Sequence, residues 1–444
     1  MRIGIVTPAI MYGELACFFP EQESKQLLSL PNNNNVPAPT IIAKGFIQSG
    51  HFVRLFTIGD SNVVFYSEKV EIVILKEKKF PLNLFLSTEY RKAYSLRLAI
   101  SKKSDDLDVL HSQWTYHTAL STLSFAKKIP TFCTVRDWTP IIIGYLPKYS
   151  EKRSLYESRI DAKFQRKSKL KEFPLYNVTK RVLSSTLAIL PDSLWRTKLR
   201  INERVFACPD VHFIGNSPYT ADLIQKKLGK NVPYIMNPID ADRLYKGEKI
   251  LPTELKIITI QSMLESRKNV VVLLKAFQLV RMQYPEAQLL FMYSRSLEML
   301  KSFPFYKEWV DSGYLKNVRF LCNIPHDHIY QYIDECSMLV HPALEESFGN
   351  VIVEGMMRKT PIIGGKSSGA VPYLLGFGER GFICDVASEN DIAKTIISVF
   401  NDKKESLARV ERAFSWISEN NVPSAIIDKH IAIYRKFMGP VAER

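Results

Sequence analysis

At 444 residues the chain exceeds what one hydrophobic core serves, so two domains of roughly 200 residues each are expected. A hydrophobic content of 46% with 24% charged residues excludes a disordered chain, and six cysteines with no CxxC pair and no histidine at metal-ligand spacing exclude a zinc site or a disulfide framework. The net charge of +15 points to an anionic partner, and no apolar run approaches the roughly 18 residues of a spanning helix.

Strand-like runs alternate with helix-length segments along the chain. "MRIGIVTP", with one Arg and no signal-peptide core, comes first and leads to the biased loop "LPNNNNVPAP"; a cytoplasmic protein is expected. "FVRLFTIG", "KVEIVIL", "DVLHSQ", "IPTFCTV", "VHFIGNS" and "VPYIMN" follow. Then come "LKIITIQSM", "AQLLFMYS", "NVRFLC", "CSMLVHP" and "TPIIGG", with helix candidates such as "NVVVLLKAFQLVRMQYP" and "PHDHIYQYIDE" between them. This βαβα order predicts α/β domains with parallel, doubly wound sheets. The polar segment "NPIDADRLYKGEKILPTE" marks the passage between domains, which are expected over residues 1–240 and 241–425. Residues 426–444 are expected to form a helix that packs back on the first domain.

From Lys148 to Arg204 there are 15 Lys and Arg against 6 Asp and Glu, interleaved with Phe, Leu, Tyr and Trp195. Such a segment suits phosphate groups, although a solvated helix face explains the same charge. No nucleic-acid motif accompanies it, so an anionic membrane surface is the expected partner and nucleic acid is not. That places the protein peripherally at the inner face of the cell membrane.

In "HPALEESFGNVIVEGMM", residues 341–357, Glu346 and Glu354 stand on either side of a Phe-Gly-Asn turn behind the apolar run "CSMLVHP". The run reads as a buried strand and "NVIVEGMMRK" as a helix start, so the first carboxylate lies in a loop and the second inside the helix. Ligands of open parallel sheets sit at such strand ends, where first-turn N–H groups and the helix dipole attract anions. A first-turn charge offsetting the dipole and a solvated helix residue would show the same spacing.

Several motifs in this order carry a resemblance. "EESFGNVIVEGMM" resembles the E-G-F-G-x-x-x-x-E-A-M signature of retaining glycosyltransferase family 4, whose E-x7-E pair falls on Glu346 and Glu354, with Phe348 and Gly349 in register. "NSPYTADLIQKKLG", "YIMNPIDADR" and "SMLESRKNVVVLLKAF" resemble the family's serine-containing helix start, its N-G-V-D turn and its phosphate-binding strand-helix junction. The resemblance implies a GT-B fold, two Rossmann-like doubly wound domains facing a central cleft, with the acceptor on the first and the nucleotide sugar on the second. It implies a hexosyltransferase-type enzyme that moves a sugar from a nucleotide-diphosphate donor to a hydroxyl of a glycan or lipid-linked acceptor, in bacterial-type surface polysaccharide or glycolipid synthesis. A GT-B sugar-nucleotide epimerase shares the architecture and is the alternative activity; a non-catalytic sugar or nucleic-acid binder is a third.

Sugar transfer requires a stabilised diphosphate leaving group while an oxocarbenium-like centre forms. No Asp-x-Asp motif stands in a convincing loop, so neither metal nor other cofactor is expected, and protein cations and helix amides are left to hold the diphosphate. The resemblance implies that Glu354 binds the ribose hydroxyls and Glu346 the donor sugar. It implies that the backbone around Gly349, Asn350 and Val351 faces the sugar or diphosphate, and that Lys268 meets the diphosphate. Ser262 and Arg267 belong to the same junction; the family's arginine there falls on Met263, so Arg267 is the candidate replacement. The family's glycine pair after the first strand is replaced by Asn32, Asn33, Asn34 and Asn35, which leaves Asn34 as a cleft candidate. The family's "V-x-H-D" turn reads "TVRDWTP", so Arg136 and Asp137 are expected to face the cleft as catalytic candidates. A family glutamate after "G-G-x-P" reads Tyr373, with Glu379 nearby. His111, Trp114 and His117 in "HSQWTYHTAL" are acceptor or cleft candidates, Trp114 through stacking on a sugar, while either histidine also reads as a structural one. No nucleophile is assigned: front-face attack, with the departing phosphate taking the acceptor proton, fits the absence of an obvious base.

Overall fold

The structure is a computed structural model that describes residues 1–30, 37–77, 87–139 and 190–438. Strands β1 (Arg2–Val6), β2 (Phe52–Gly59), β3 (Val63–Tyr66), β4 (Val70–Lys76), β5 (Val109–Ser112), β6 (Thr131–Val135) and β7 (Val211–Gly215) form one sheet in the order β3-β4-β2-β1-β5-β6-β7. A second sheet has the order β10-β9-β8-β11-β12-β13 and is built from β8 (Lys256–Gln261), β9 (Gln288–Tyr293), β10 (Val318–Cys322), β11 (Met338–His341), β12 (Ile362–Gly365) and β13 (Phe382–Cys384). Every strand pairing is parallel except that of β3 with β4. Central strands such as β5, β6, β11 and β12 are buried along their whole length, which is why they read as unbroken apolar runs: helices cover both faces of a parallel sheet.

Strand order reverses once in each sheet, at β1 between β2 and β5 and at β8 between β9 and β11. At these reversals adjacent connections leave in opposite directions and open a crevice beyond the C-terminal strand ends. The loops after β8 and β11, which hold Lys268 and Glu346, are the two that flank the second crevice.

Three features differ from the sequence expectation. The edge strand β3 is antiparallel, and β13 closes the second sheet; both are short and carry little periodic signal. "VPYIMN" forms no strand but only an isolated bridge between Gly215 and Tyr234. Pro233 has no N–H to extend a ladder on the edge strand β7, so pairing stops there.

The chain passes between the sheets at residues 237–240 and returns near Asn421. These two crossings are bonded to each other: the Ile239 amide donates to the Asn421 carbonyl at 2.8 Å, and Asn421 Nδ2 donates to the Asn237 carbonyl at 2.8 Å. The returning helix Pro423–Met438 packs on the helix Ala38–Gln48, close enough that a Cβ on Gly45 would lie 2.7 Å from Ile427. Its Tyr434 is fully buried against Phe46 and Phe132, with ring centroids 5.8 and 4.8 Å away.

His111, a cleft candidate from the sequence, belongs to this junction instead. It is fully buried, with Nδ1 2.6 Å from the Tyr434 hydroxyl and Nε2 2.8 Å from Thr134 Oγ1, so it holds the returning helix rather than facing a ligand. His430 lies beside it, ring centroids 5.4 Å apart, and burial reinforced by Arg136 pulls its pKa from 6.5 down to about 3. Between those values the unfolded chain binds the proton and the folded chain does not, so stability is lost as pH falls from about 6.5 toward 3. Denaturant unfolding across that range should show this loss, and His430→Phe should reduce it, most clearly above pH 4.5 where the carboxylates Glu89 and Glu346 do not contribute; an unchanged pH slope in the variant would assign the loss to other groups.

Candidate active site

The second sheet supplies a compact charged cluster. Beyond β8 the chain makes a 3-10 turn at Ser266–Lys268 and enters the helix Val270–Gln283 through Asn269, whose φ of 54° is left-handed. Beyond β11 a loop carries Glu345 and Glu346 to the helix Asn350–Met357. The Leu344 amide donates to the Arg267 carbonyl at 2.7 Å and ties the two loops together.

Glu346 is nearly buried and bonded to Lys268 Nζ, with His341 Nε2 at 3.5 Å and Arg267 Nη1 at 3.8 Å. Burial pushes its pKa up, but Lys268, His341 and Arg267 together hold it well below the usual carboxylate range. The Glu346 carbonyl accepts the Ala370 amide at 2.8 Å, and a Cβ on Gly369 would come within 2.3 Å of that oxygen, so glycine there lets the backbones meet. Burial lowers His341 more than Glu346 raises it, leaving a neutral imidazole.

Gly349, at φ 99°, turns the chain into the helix Asn350–Met357. The first-turn amides of Asn350 and Val351 have no acceptor within the helix and lie at its positive end. Glu354 lies about 6 Å further along the axis at 1.5 Å per residue. Its Oε1 is 3.1 Å from His326 Nε2, whose pKa is raised chiefly by that hydrogen bond.

The first domain supplies the opposite wall. Asp137 accepts from Trp114 Nε1 at 3.0 Å and from the Tyr116 hydroxyl at 2.8 Å, which fixes both rings. His117 Nδ1 is 2.7 Å from Glu89 Oε2, and although burial opposes it, this bond with the nearby Lys198 and Lys92 takes Glu89 down to about 2. Arg136 Nη2 and Nη1 donate to the side-chain oxygens of Gln113 and Asn237.

One cleft of about 1380 Å³ gathers Trp114, His117, Arg136, Asp137, Ser262, Arg267, Lys268, Glu346, Gly349, Asn350, Val351 and Glu354. That volume exceeds a typical small-molecule pocket, enough for two substrates side by side. Asn34 and the basic segment up to residue 189 lie outside the described residues. Tyr373 and Glu379 are not on the cleft wall; Tyr373 packs edge-on to Phe377 at 5.1 Å.

Residues 242–416 match the family model for glycosyl transferases group 1. An uncharacterized glycosyltransferase of Methanocaldococcus jannaschii is 26% identical over 116 residues, 25% of this chain and 33% of that protein, so the chain matches about a third of that relative's length. Sucrose-phosphate synthase of Thermosynechococcus elongatus is similar in structure over 98% of both chains, at 13% identity and a TM-score of 0.66. HepE of Anabaena, solved in complex with UDP and glucose, is similar over 98% of this chain and 99% of its own, at 15% identity and a TM-score of 0.62. The fold is GT-B. The family model and the relative's name are those of enzymes that transfer sugars.

In the GT-B cleft sequence reasoning missed His326, His341 and Glu345, and behind its wall Glu265. His326 reaches Glu354 only through folding, from 28 residues away, whereas His341 stands five residues before Glu346 in the same motif. Glu265 and Glu345 flank Arg267: Glu265 Oε2 is 2.7 Å from Nε and Glu345 Oε2 is 3.7 Å from Nη1. The available signals were local: Glu345 adjoins Glu346, His341 opens the same motif, and Glu265 stands two residues before Arg267. Burial and the neighbouring Glu346 outweigh Arg267 and raise Glu345 from 4.5 to about 7.

A carboxyl raised in this way binds its proton more tightly folded than unfolded. Its contribution to stability is therefore complete below about 4.5 and lost as pH rises through about 7. Glu345→Gln should gain stability over the wild type progressively across that window. Melting temperatures that differ by the same amount at pH 5 and pH 8 would show that Glu345 does not titrate there.

Proposed function

We propose that the protein is a retaining, family 4 glycosyltransferase that moves a sugar from a nucleotide-diphosphate donor to a hydroxyl of a glycan or lipid-linked acceptor. The observation that carries this reading is the pair of carboxylates at two stations of one strand-loop-helix unit. Glu346 is held ionised by Lys268, and Glu354 lies one helical turn further along, paired with His326, both on the cleft wall. One donor spans such a distance: the ribose at Glu354, the diphosphate against the Asn350 and Val351 amides, and the sugar at Glu346. An ionised carboxylate accepts strongly from hydroxyls, which suits both ends.

Lys268, Arg267 and the helix amides meet the diphosphate without a divalent cation in this reading. Glu346 is committed to Lys268, so it orients the sugar and offsets developing positive charge rather than attacking it. The departing phosphate then takes the acceptor proton on the same face, which retains configuration. Trp114, Tyr116 and the Glu89–His117 pair line the first-domain wall and form the acceptor side. No helix of the described residues is long and apolar enough to cross a membrane. The charge between Lys148 and Arg204 supports peripheral contact with an anionic bilayer in surface polysaccharide or glycolipid synthesis.

A thermal-shift screen against UDP, GDP, ADP and CMP sugars tests the donor, since ligands that bind only the folded state raise its melting temperature; no shift with any of them would remove the reading. With the donor in hand, Glu354→Gln should raise its KM by about tenfold or more at little cost to kcat. Glu346→Gln should lower kcat by about a hundredfold, because its partner changes charge in the transition state. Equal kcat losses at unchanged KM would refute this division. Activity should also survive EDTA; abolition by the chelator with rescue by magnesium or manganese would show that the cations of the chain are insufficient.

A further inference from the structure

Arg136 follows β6 and is 6% exposed, yet its hydrogen-bonded partners are the neutral amides of Gln113 and Asn237, and its Nε has none among the described residues. Among the described residues no carboxylate compensates it there, and burial pulls its pKa down to about 9, so it remains a cation at neutral pH. A buried charge without a counter-ion costs stability and is a mark of a ligand that brings the missing charge.

Two contacts aim this charge at the donor half of the cleft. Asn237, which accepts from the guanidinium, donates through Nδ2 to Asn350 Oδ1 at 2.9 Å, and Ser347 Oγ donates to the Arg136 carbonyl at 2.7 Å. The guanidinium is therefore one amide side chain away from the first residue of the helix that carries Glu354. The cations of the second domain are already shared with carboxylates: Lys268 with Glu346, and Arg267 with Glu265, Glu345 and Glu346 at 2.7, 3.7 and 3.8 Å.

We propose that Arg136 is the receptor for an anionic group of the nucleotide-sugar donor, either an oxygen of the diphosphate or a carboxylate on the sugar. This rests on the sugar-transfer reading above. The positive charge without a carboxylate among the described residues then comes from the first domain, so both domains grip the donor, and the anion completes an ion pair with Arg136.

Calorimetric titration of UDP, GDP and ADP with their monophosphates, followed by the glucose and glucuronate conjugates of the base that binds, separates the two sources. The proteins are wild type, Arg136→Gln and Gln113→Glu. Arg136→Gln removes the buried charge, and Gln113→Glu neutralises the guanidinium while leaving it in place. Ligand-free melting temperatures should therefore not fall in either variant. Both variants should lose about tenfold or more in affinity for the anion that Arg136 receives. Loss for the diphosphate with the monophosphate unaffected assigns the phosphate; loss for the glucuronate conjugate with the glucose conjugate unaffected assigns the sugar carboxylate. Nucleotide affinities kept by both variants, or a uniform loss accompanied by a fall in melting temperature, overturn the proposal while leaving sugar transfer standing. A wild type that binds no nucleotide overturns both.

Discussion

A carboxylate taken out of water stays ionised only if a cation goes with it, and the contact of Glu346 with Lys268 meets that condition at the centre of the cleft. The two residues come from the loops after β11 and β8, neighbouring strands at the point where the second sheet reverses its order. Their bond therefore exists only if both strands are adjacent and parallel. The 3-10 turn at Ser266–Lys268, the left-handed Asn269 and Gly349, and the close approach at Gly369 are the local adjustments that bring the loops together.

That charged cluster is coupled to the other domain through neutral groups. Ser217 Oγ donates to the Ser347 carbonyl at 2.6 Å, Ser347 Oγ donates to the Arg136 carbonyl, and Asn237 links the Arg136 guanidinium to Asn350. Hydroxyls and amides can exchange partners at modest cost, whereas ion pairs in the same positions would resist movement. The neck thus links the two walls through hydrogen bonds of neutral groups. Behind it, Tyr434 and the fully buried His111 fasten the returning helix to the first sheet, so the same strand end that presents Trp114 to the cleft also anchors the C-terminal helix.

Much of this was legible from residue order. Most strands were marked by their apolar runs, because a parallel strand covered on both faces must be apolar at successive positions. The exceptions have local causes: β3 and β13 are short edge elements, and Pro233 ends the pairing that "VPYIMN" suggested. The loop-and-helix placement of Glu346 and Glu354 followed from the turn residues between them. His111 and His117 show the limit of such reading. They sit six residues apart in one motif, yet one faces the cleft beside Glu89 and the other is sealed against Tyr434, a residue 323 positions away.

By itself the sequence determined the doubly wound architecture and the set of side chains at the strand ends, since these depend on periodicity and turn chemistry within short windows. Only the tertiary structure decided which of those side chains are paired. His326 beside Glu354, Glu345 beside Arg267, and an Arg136 met only by amides among the described residues are juxtapositions of groups distant in sequence. Charge, burial and proton affinity are properties of those neighbours in space, and no window of sequence contains them.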